Sequence, residues 1–254
     1  MTRNSRAGWQ VNMTTVHFNN AKHGFGPSEP LGLISVFSAE GDLEHAALGA
    51  ALAKEAARLG QSVLLVDCAA GQSAQCFDIT PAVTLNDVLE DRAALTDAKY
   101  ISPRGDIAIC AGGDAALEDL LGPVTALSLS YDAVIVTVPA GCTPAHVQLA
   151  AAADAVSMCF HAAGDRFMRA YWTLEAIRAA APRCDPYMVG IGSKPDVFET
   201  YDLFAGTVRD FLGGPPPLGG SIDDVSKERD HHVTASARYI CEAIGKTIPA
   251  ARRA

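Results

Sequence analysis

Long hydrophobic runs are missing from this sequence. Its apolar stretches break at Gly, Pro or a charged residue within about a dozen positions, too short to span a bilayer. The start of the chain lacks a basic segment, an apolar core and a small-residue cleavage site, so no secretory leader is expected. Seven cysteines form no CxxC pair, and an odd count without paired spacing predicts reduced thiols in a soluble, cytosolic protein. Cys68 and Cys159 fall inside apolar runs, where cysteine reads as a small hydrophobe. No long basic run offsets the formal charge of −9, which argues against binding nucleic acid or anionic lipid in bulk. A Gly-x-Ser-x-Gly elbow is absent, and Ser128-Leu129-Ser130 has no supporting context. Gly112-Gly113-Asp114 is too short for a dinucleotide fingerprint and reads as a turn leading to a helix N-cap. His231-His232 follows the charged run Lys227–Asp230 without further ligands at metal-binding spacing; a solvated loop is expected there, and no metal site. His146 and His161, at a helix start and a strand end, read as structural.

What the chain does have is an alternation of short apolar runs and Ala-rich helical segments, with 49% apolar residues over 254 positions. That length suits one large α/β domain, residues 31–254, preceded by a polar arm, residues 1–30, that ends in a Gly- and Pro-rich stretch. Within the arm, Trp9, Val16 and Phe18 are the hints of an anchor. Strands are predicted at Gly32–Phe37, Ser62–Asp67, Asp106–Cys110, Ala133–Val138, Ala155–His161 and Tyr187–Ile191, with a last short one at Leu218–Ile222. Helices are predicted at Leu43–Leu59, Thr84–Asp91, Ala115–Leu129, Thr143–Ala153, Arg166–Ala181, Val197–Leu212 and Val233–Thr247. Strands alternating with helices of this length imply βαβ units in a doubly wound, mostly parallel sheet with helices on both faces.

In such sheets the loop after the first strand is the commonest phosphate site. Here it reads Ser38-Ala39-Glu40-Gly41-Asp42-Leu43-Glu44-His45-Ala46-Ala47. Its surroundings are Ile34–Ser38, Leu52-Ala53-Lys54 with Arg58-Leu59-Gly60, Ser62–Asp67, Thr84–Leu89 and Tyr131–Gly141, with weaker matches at Ala153–Val156 and Leu218–Ile222. In order and spacing these segments resemble the MinD/ParA family of deviant-Walker P-loop ATPases, over about residues 31–247. The resemblance implies a P-loop NTPase-like fold. The family's loop pattern, S-x-K-G-G-x-G-K-T-T, lies on Ser38–Ala47 without a gap, and only Ser38 and Gly41 keep its defining residues. Glu40 stands at the signature lysine that reaches across a dimer to the nucleotide, and His45 at the lysine that meets the β- and γ-phosphates. Ala46 stands at the hydroxyl that ligates Mg²⁺, and Asp42 and Glu44 at glycines.

Each change works against phosphate. Glycines let successive N–H groups turn inward, which Asp and Glu resist. One pair of like charges about 4 Å apart is unfavourable by roughly 4 kcal/mol at an effective dielectric constant of 20. His45 is either a partial cation at acid pH or an ordinary helix residue. Asp67 matches the family's acidic residue that helps activate water, though Cys68-Ala69 lacks the second aspartate of many members; equally, it reads as a cap of the next turn. Thr137 stands where a later strand ends in the aspartate of the Mg²⁺ shell, while Pro139-Ala140-Gly141 keeps the switch-like loop. The resemblance therefore implies a pseudo-ATPase with no catalytic residue beyond Asp67 as a residual candidate, no expected cofactor, and at most weak ATP/Mg²⁺ binding. It further implies a cytoplasmic scaffold or regulator with protein partners, in an assembly that family analogy places at the envelope. A homodimer through the former nucleotide face fits it; ATP-gated dimerisation does not. A basic amphipathic C-terminal helix anchors some relatives to the inner membrane, but the single stripe Ile240, Ile244 and Ile248 fits packing onto the domain better. Two alternatives stay open: an ATPase with an unorthodox loop using Asp67 and His45, and a module binding another small ligand in the crevice near Ser38, Asp67 and Gly141.

Overall fold

The computed structural model describes residues 30–40, 44–163, 166–223 and 229–247. Residues 1–29 of the expected arm, Gly41, Asp42 and the C-terminal Ile248 and Arg252-Arg253 lie outside the described residues. The first half runs β1 (Gly32–Ser38), α1 (Glu44–Arg58), β2 (Val63–Asp67), α2 (Gln72–Gln75), α3 (Leu85–Leu89), β3 (Lys99–Ile101), β4 (Ile107–Ala111) and α4 (Leu117–Ser128). The second half runs β5 (Ala133–Thr137), α5 (Pro144–Ala152), β6 (Ala155–His161), α6 (Phe167–Ala180), β7 (Tyr187–Ile191), α7 (Lys194–Phe211), β8 (Leu218–Ile222) and α8 (Arg229–Thr247).

One eight-stranded sheet has the order β3-β4-β2-β5-β1-β6-β7-β8. All its pairings are parallel except the antiparallel β3–β4 edge. The period-2 alternation of strands divides the apolar runs between two cores. Leu33, Phe37, Leu64, Val66, Val134 and Val136 face one layer. Their neighbours Ile34, Val36, Val63, Leu65 and Ile135 face the other, which α1 and α8 cover. Strands buried on both faces need such continuous apolar runs, which is why the sequence reads as a doubly wound sheet.

The departures from the sequence reading have local causes. Strand β3 was not expected, since Lys99-Tyr100-Ile101 is three residues with no apolar periodicity, held as an edge by β4. Helix α4 begins at Leu117 with Ala116 as its N-cap, so Asp114 caps nothing. Helix α7 begins at Lys194, earlier than expected, because Ser193 is its N-cap and Pro195 fits the first turn. Helix α8 begins at Arg229, which puts His231-His232 on a helix rather than in a loop. Its stripe is core: Ile240 and Ile244 are buried among the residues of the α1 layer. Among the described residues no helix is long and apolar enough to cross a membrane.

Candidate functional site

Parallel registers bring the carboxyl ends of β1, β2 and β5 side by side, with Asp67 opposite Thr137 and Thr137 opposite Val36. Backbone bonds knit these ends together: Cys68 N–H donates to the Thr137 carbonyl at 2.8 Å, and Gly141 N–H to the Ser38 carbonyl at 3.0 Å. Ser38 is buried, and its hydroxyl accepts from Glu40 N–H at 3.2 Å.

The acidic residue at the end of β2 is fully enclosed. Asp67 Oδ1 accepts from Ala69 N–H at 2.9 Å and Oδ2 from Ala74 N–H at 2.8 Å. Burial pushes its carboxyl up, against the pull of these backbone donors. Of the two roles the sequence left open, the geometry is that of a cap on the following turn. Thr137 is also buried, and its hydroxyl lies 2.9 Å from that of Ser73 in α2. Helix α1 presses on it at Gly49, where a Cβ would fall 2.1 Å from Thr137 Cγ2.

His45, in the first turn of α1, is 2% exposed, and its Nε2–H donates to the Val138 carbonyl at 3.0 Å. His146 acts in the same way from α5, donating from Nε2 to the Pro139 carbonyl at 2.8 Å while Nδ1 accepts from Thr143 N–H at 3.2 Å. Two imidazoles from different helices thus hold successive carbonyls of the loop after β5. Ala46 is buried behind His45.

Both described carboxylates of the first loop meet arginines of their own chain. Glu44 is gripped in a bidentate fork by Arg229, the first residue of α8, with Nε 3.0 and 2.8 Å from the two oxygens. The pair joins the amino ends of α1 and α8, places an anion at the positive end of the α1 dipole, and raises the Arg229 guanidinium above its ordinary range. Glu40 faces Arg166 at 3.5 Å and Arg169 at 3.6 Å. The mutual repulsion expected of these carboxylates is therefore compensated within the chain. Arg166, Arg169, Arg229 and Ser73 escaped the sequence reading, and no local spacing signals them: Glu44 and Arg229 are 185 residues apart.

A crevice of about 450 Å³ opens at the ends of β2, β4 and β5, lined by His45, Cys68, Ala69, Gly113, Asp114 and Pro139 among others. Ser38 and Asp67, expected beside it, are buried beneath rather than lining it, and Gly141 lies off its wall. The Cys68 thiol is buried and pushed up to about 12. Among the described residues no group of three or more His, Cys, Asp or Glu is placed to hold a metal ion.

No protein-family model matches the sequence, and no curated protein matches it. Solved structures do match. The MinC:MinD cell division complex of Aquifex aeolicus superposes with a TM-score of 0.65 at 19% identity, covering 86% of this chain and 97% of that one. The cell division ATPase MinD of Pyrococcus furiosus gives 0.66 at 17%, covering 84% and 99%. A ParA family ATPase of Chlorobium tepidum TLS gives 0.61 at 16%, covering 85% and 96%. Strand order, helix layers and these superpositions agree: the chain has the fold of the MinD and ParA ATPases.

Proposed function

We propose that this chain is a MinD/ParA-like pseudo-ATPase, a cytoplasmic scaffold or regulator within a larger, envelope-associated assembly, with little or no ATP hydrolysis. One observation carries the reading. Four described side chains at positions where the resembling family binds phosphate or Mg²⁺ are committed inside the fold. His45 bonds the Val138 carbonyl, Thr137 the Ser73 hydroxyl, Asp67 two backbone N–H groups, and Glu44 the Arg229 fork. Ala46 offers no oxygen to a metal. These residues do not fit Mg²⁺-ATP, because phosphoryl transfer draws its main stabilisation from the lysine and the metal shell that are replaced here.

The work left to such a scaffold is association. A MinD of this fold is solved in complex with MinC, which supports protein partners for this chain; a second copy meeting it through the former nucleotide face is part of the same proposal. The burial of Ile240 and Ile244 supports packing of α8 onto the domain over membrane anchoring. The 450 Å³ crevice favours one second reading, a module binding a different small ligand there. Calorimetry with Mg²⁺-ATP, paired with a turnover assay, separates these. Binding tighter than about 100 μM (about −5.5 kcal/mol) together with hydrolysis would refute the pseudo-ATPase. The double variant Glu40→Lys/His45→Lys should stay inactive, because Ala46 and Thr137 still leave the metal unheld.

A further inference from the structure

Beyond the crevice, at the carboxyl end of β6, lies a second cavity of about 270 Å³ whose walls are Glu40, His161, Arg166 and Arg169. None of these four lines the larger crevice. Arg166 and Arg169 stand three residues apart at the start of α6, so their guanidinium groups share one side of its first turn. They are 53% and 65% exposed, and their contacts with Glu40 at 3.5 and 3.6 Å exceed the roughly 2.7–2.9 Å of a charge-assisted hydrogen bond. Among the described residues neither guanidinium donates a hydrogen bond. Arg229 shows the contrast, holding Glu44 within hydrogen-bond distance through its fork. Among the described residues, the donors at Arg166 and Arg169 are balanced in charge by Glu40 but meet no protein acceptor within hydrogen-bond distance.

We propose that this cleft binds a phosphoryl group, with Glu40 as its built-in counter-ion when no ligand is present. Among the described residues, two arginines against one glutamate give the walls of the cleft a net positive charge. A second carboxylate would offer these donors nothing that Glu40 lacks. A phosphoryl group carries a charge of about −1.5 to −2 near neutral pH and three acceptor oxygens, enough to engage both planar forks and displace the loose Glu40 contact. The volume lies just under the roughly 300–1,000 Å³ of pockets for drug-sized ligands, which suits a phosphomonoester head rather than a whole nucleotide.

Isothermal titration of the full chain with inorganic phosphate, at constant ionic strength and with acetate as the control, tests this. Phosphate should bind and acetate should bind at least tenfold more weakly. Arg166→Gln/Arg169→Gln should weaken phosphate binding about tenfold or more, the worth of hydrogen bonds to charged groups. Glu40→Gln, which removes the internal competitor, should tighten it roughly threefold, the worth of an exposed ion pair. Should the double variant unfold on heating well below wild type, Arg169→Gln alone reads the same direction. Glycerol 3-phosphate binding as well as the free ion points to a small phosphomonoester, and a phosphoserine peptide outbinding both points to a phosphorylated partner. Failure of all three probes to bind, binding indifferent to the arginines, or weakening by Glu40→Gln overturns the proposal.

Discussion

Gly49→Ala sets two effects of opposite sign against each other. Gly49 lies inside α1, where glycine costs a helix about 1 kcal/mol relative to alanine, so propensity alone predicts a gain. The new Cβ would lie 2.1 Å from Thr137 Cγ2, far inside the roughly 3.5–4.0 Å of a carbon–carbon contact. Thr137 has nowhere to go: it is fully buried, and turning it would break its 2.9 Å contact with Ser73. Overpacking of this kind costs about 1–3 kcal/mol, and a broken buried hydrogen bond about 1–3 more. Against the propensity gain, the net is a loss of about 2 kcal/mol, read by equilibrium urea unfolding. Gly206→Ala in α7 is the control, since its Cβ would meet nothing within 4 Å; it should gain about 0.5–1 kcal/mol. Thr137→Ser removes Cγ2 and keeps the hydroxyl. Alone it should cost about 1 kcal/mol, yet in the Gly49→Ala background it should restore near wild-type stability, a coupling of about 3 kcal/mol. Gly49→Ala stabilising as much as Gly206→Ala, or a strictly additive double variant, would refute the packing argument.

A thiol reagent at pH about 8 should label exposed Cys142 first, and Cys76, whose surface is exposed but whose thiol burial pushes up, more slowly. Buried Cys68, Cys110 and Cys241, pushed up to about 12, should resist until denaturant frees them, and rapid native labelling of Cys68 by mass spectrometry would contradict this. Burial pushes the Glu55 carboxyl up, but the hydrogen bonds and charge of Arg58, with Arg238, outweigh it and hold the group below its ordinary 4.5. A lowered value in the folded state contributes stability that is present above the unfolded value and lost as pH falls through the folded one. The stability difference between wild type and Glu55→Gln should therefore be flat from neutrality to about pH 5 and shrink below it. A difference independent of pH would count against the ion pair. Ile240→Ala should cost about 2–4 kcal/mol in urea unfolding; a loss under about 0.5 kcal/mol, typical of a surface site, would detach α8 from the core.

The long apolar runs made the sheet legible, and β6 and β7 fall where the sequence places them, because a strand buried on both faces leaves a continuous signal; the partly buried edge strand β8 also falls where expected, after its Gly- and Pro-rich turn. Short elements left none. Lys99–Ile101 becomes a strand only because β4 offers it an edge, and Gln72–Gln75 a helix only where Asp67 caps its turn. The identities of the loop residues were legible and their partners were not. Glu40 and Glu44 look like bare negative charge in sequence; Arg166, Arg169 and Arg229 compensate them through tertiary closure. His45 was open between ligand-facing cation and helix residue, and only the position of the Val138 carbonyl decided for the latter.

The paired imidazoles on Val138 and Pro139 carry a kinetic consequence. A loop fastened at two successive carbonyls by α1 and α5 takes its shape from the chain itself, with no incoming phosphate to set it. A partner that reads this edge would meet one standing surface. Its association rate would then follow encounter frequency and ionic strength rather than a slow rearrangement. Occupancy would track the abundance of the two proteins, a thermostat set by concentration where a nucleotide cycle would act as a timer.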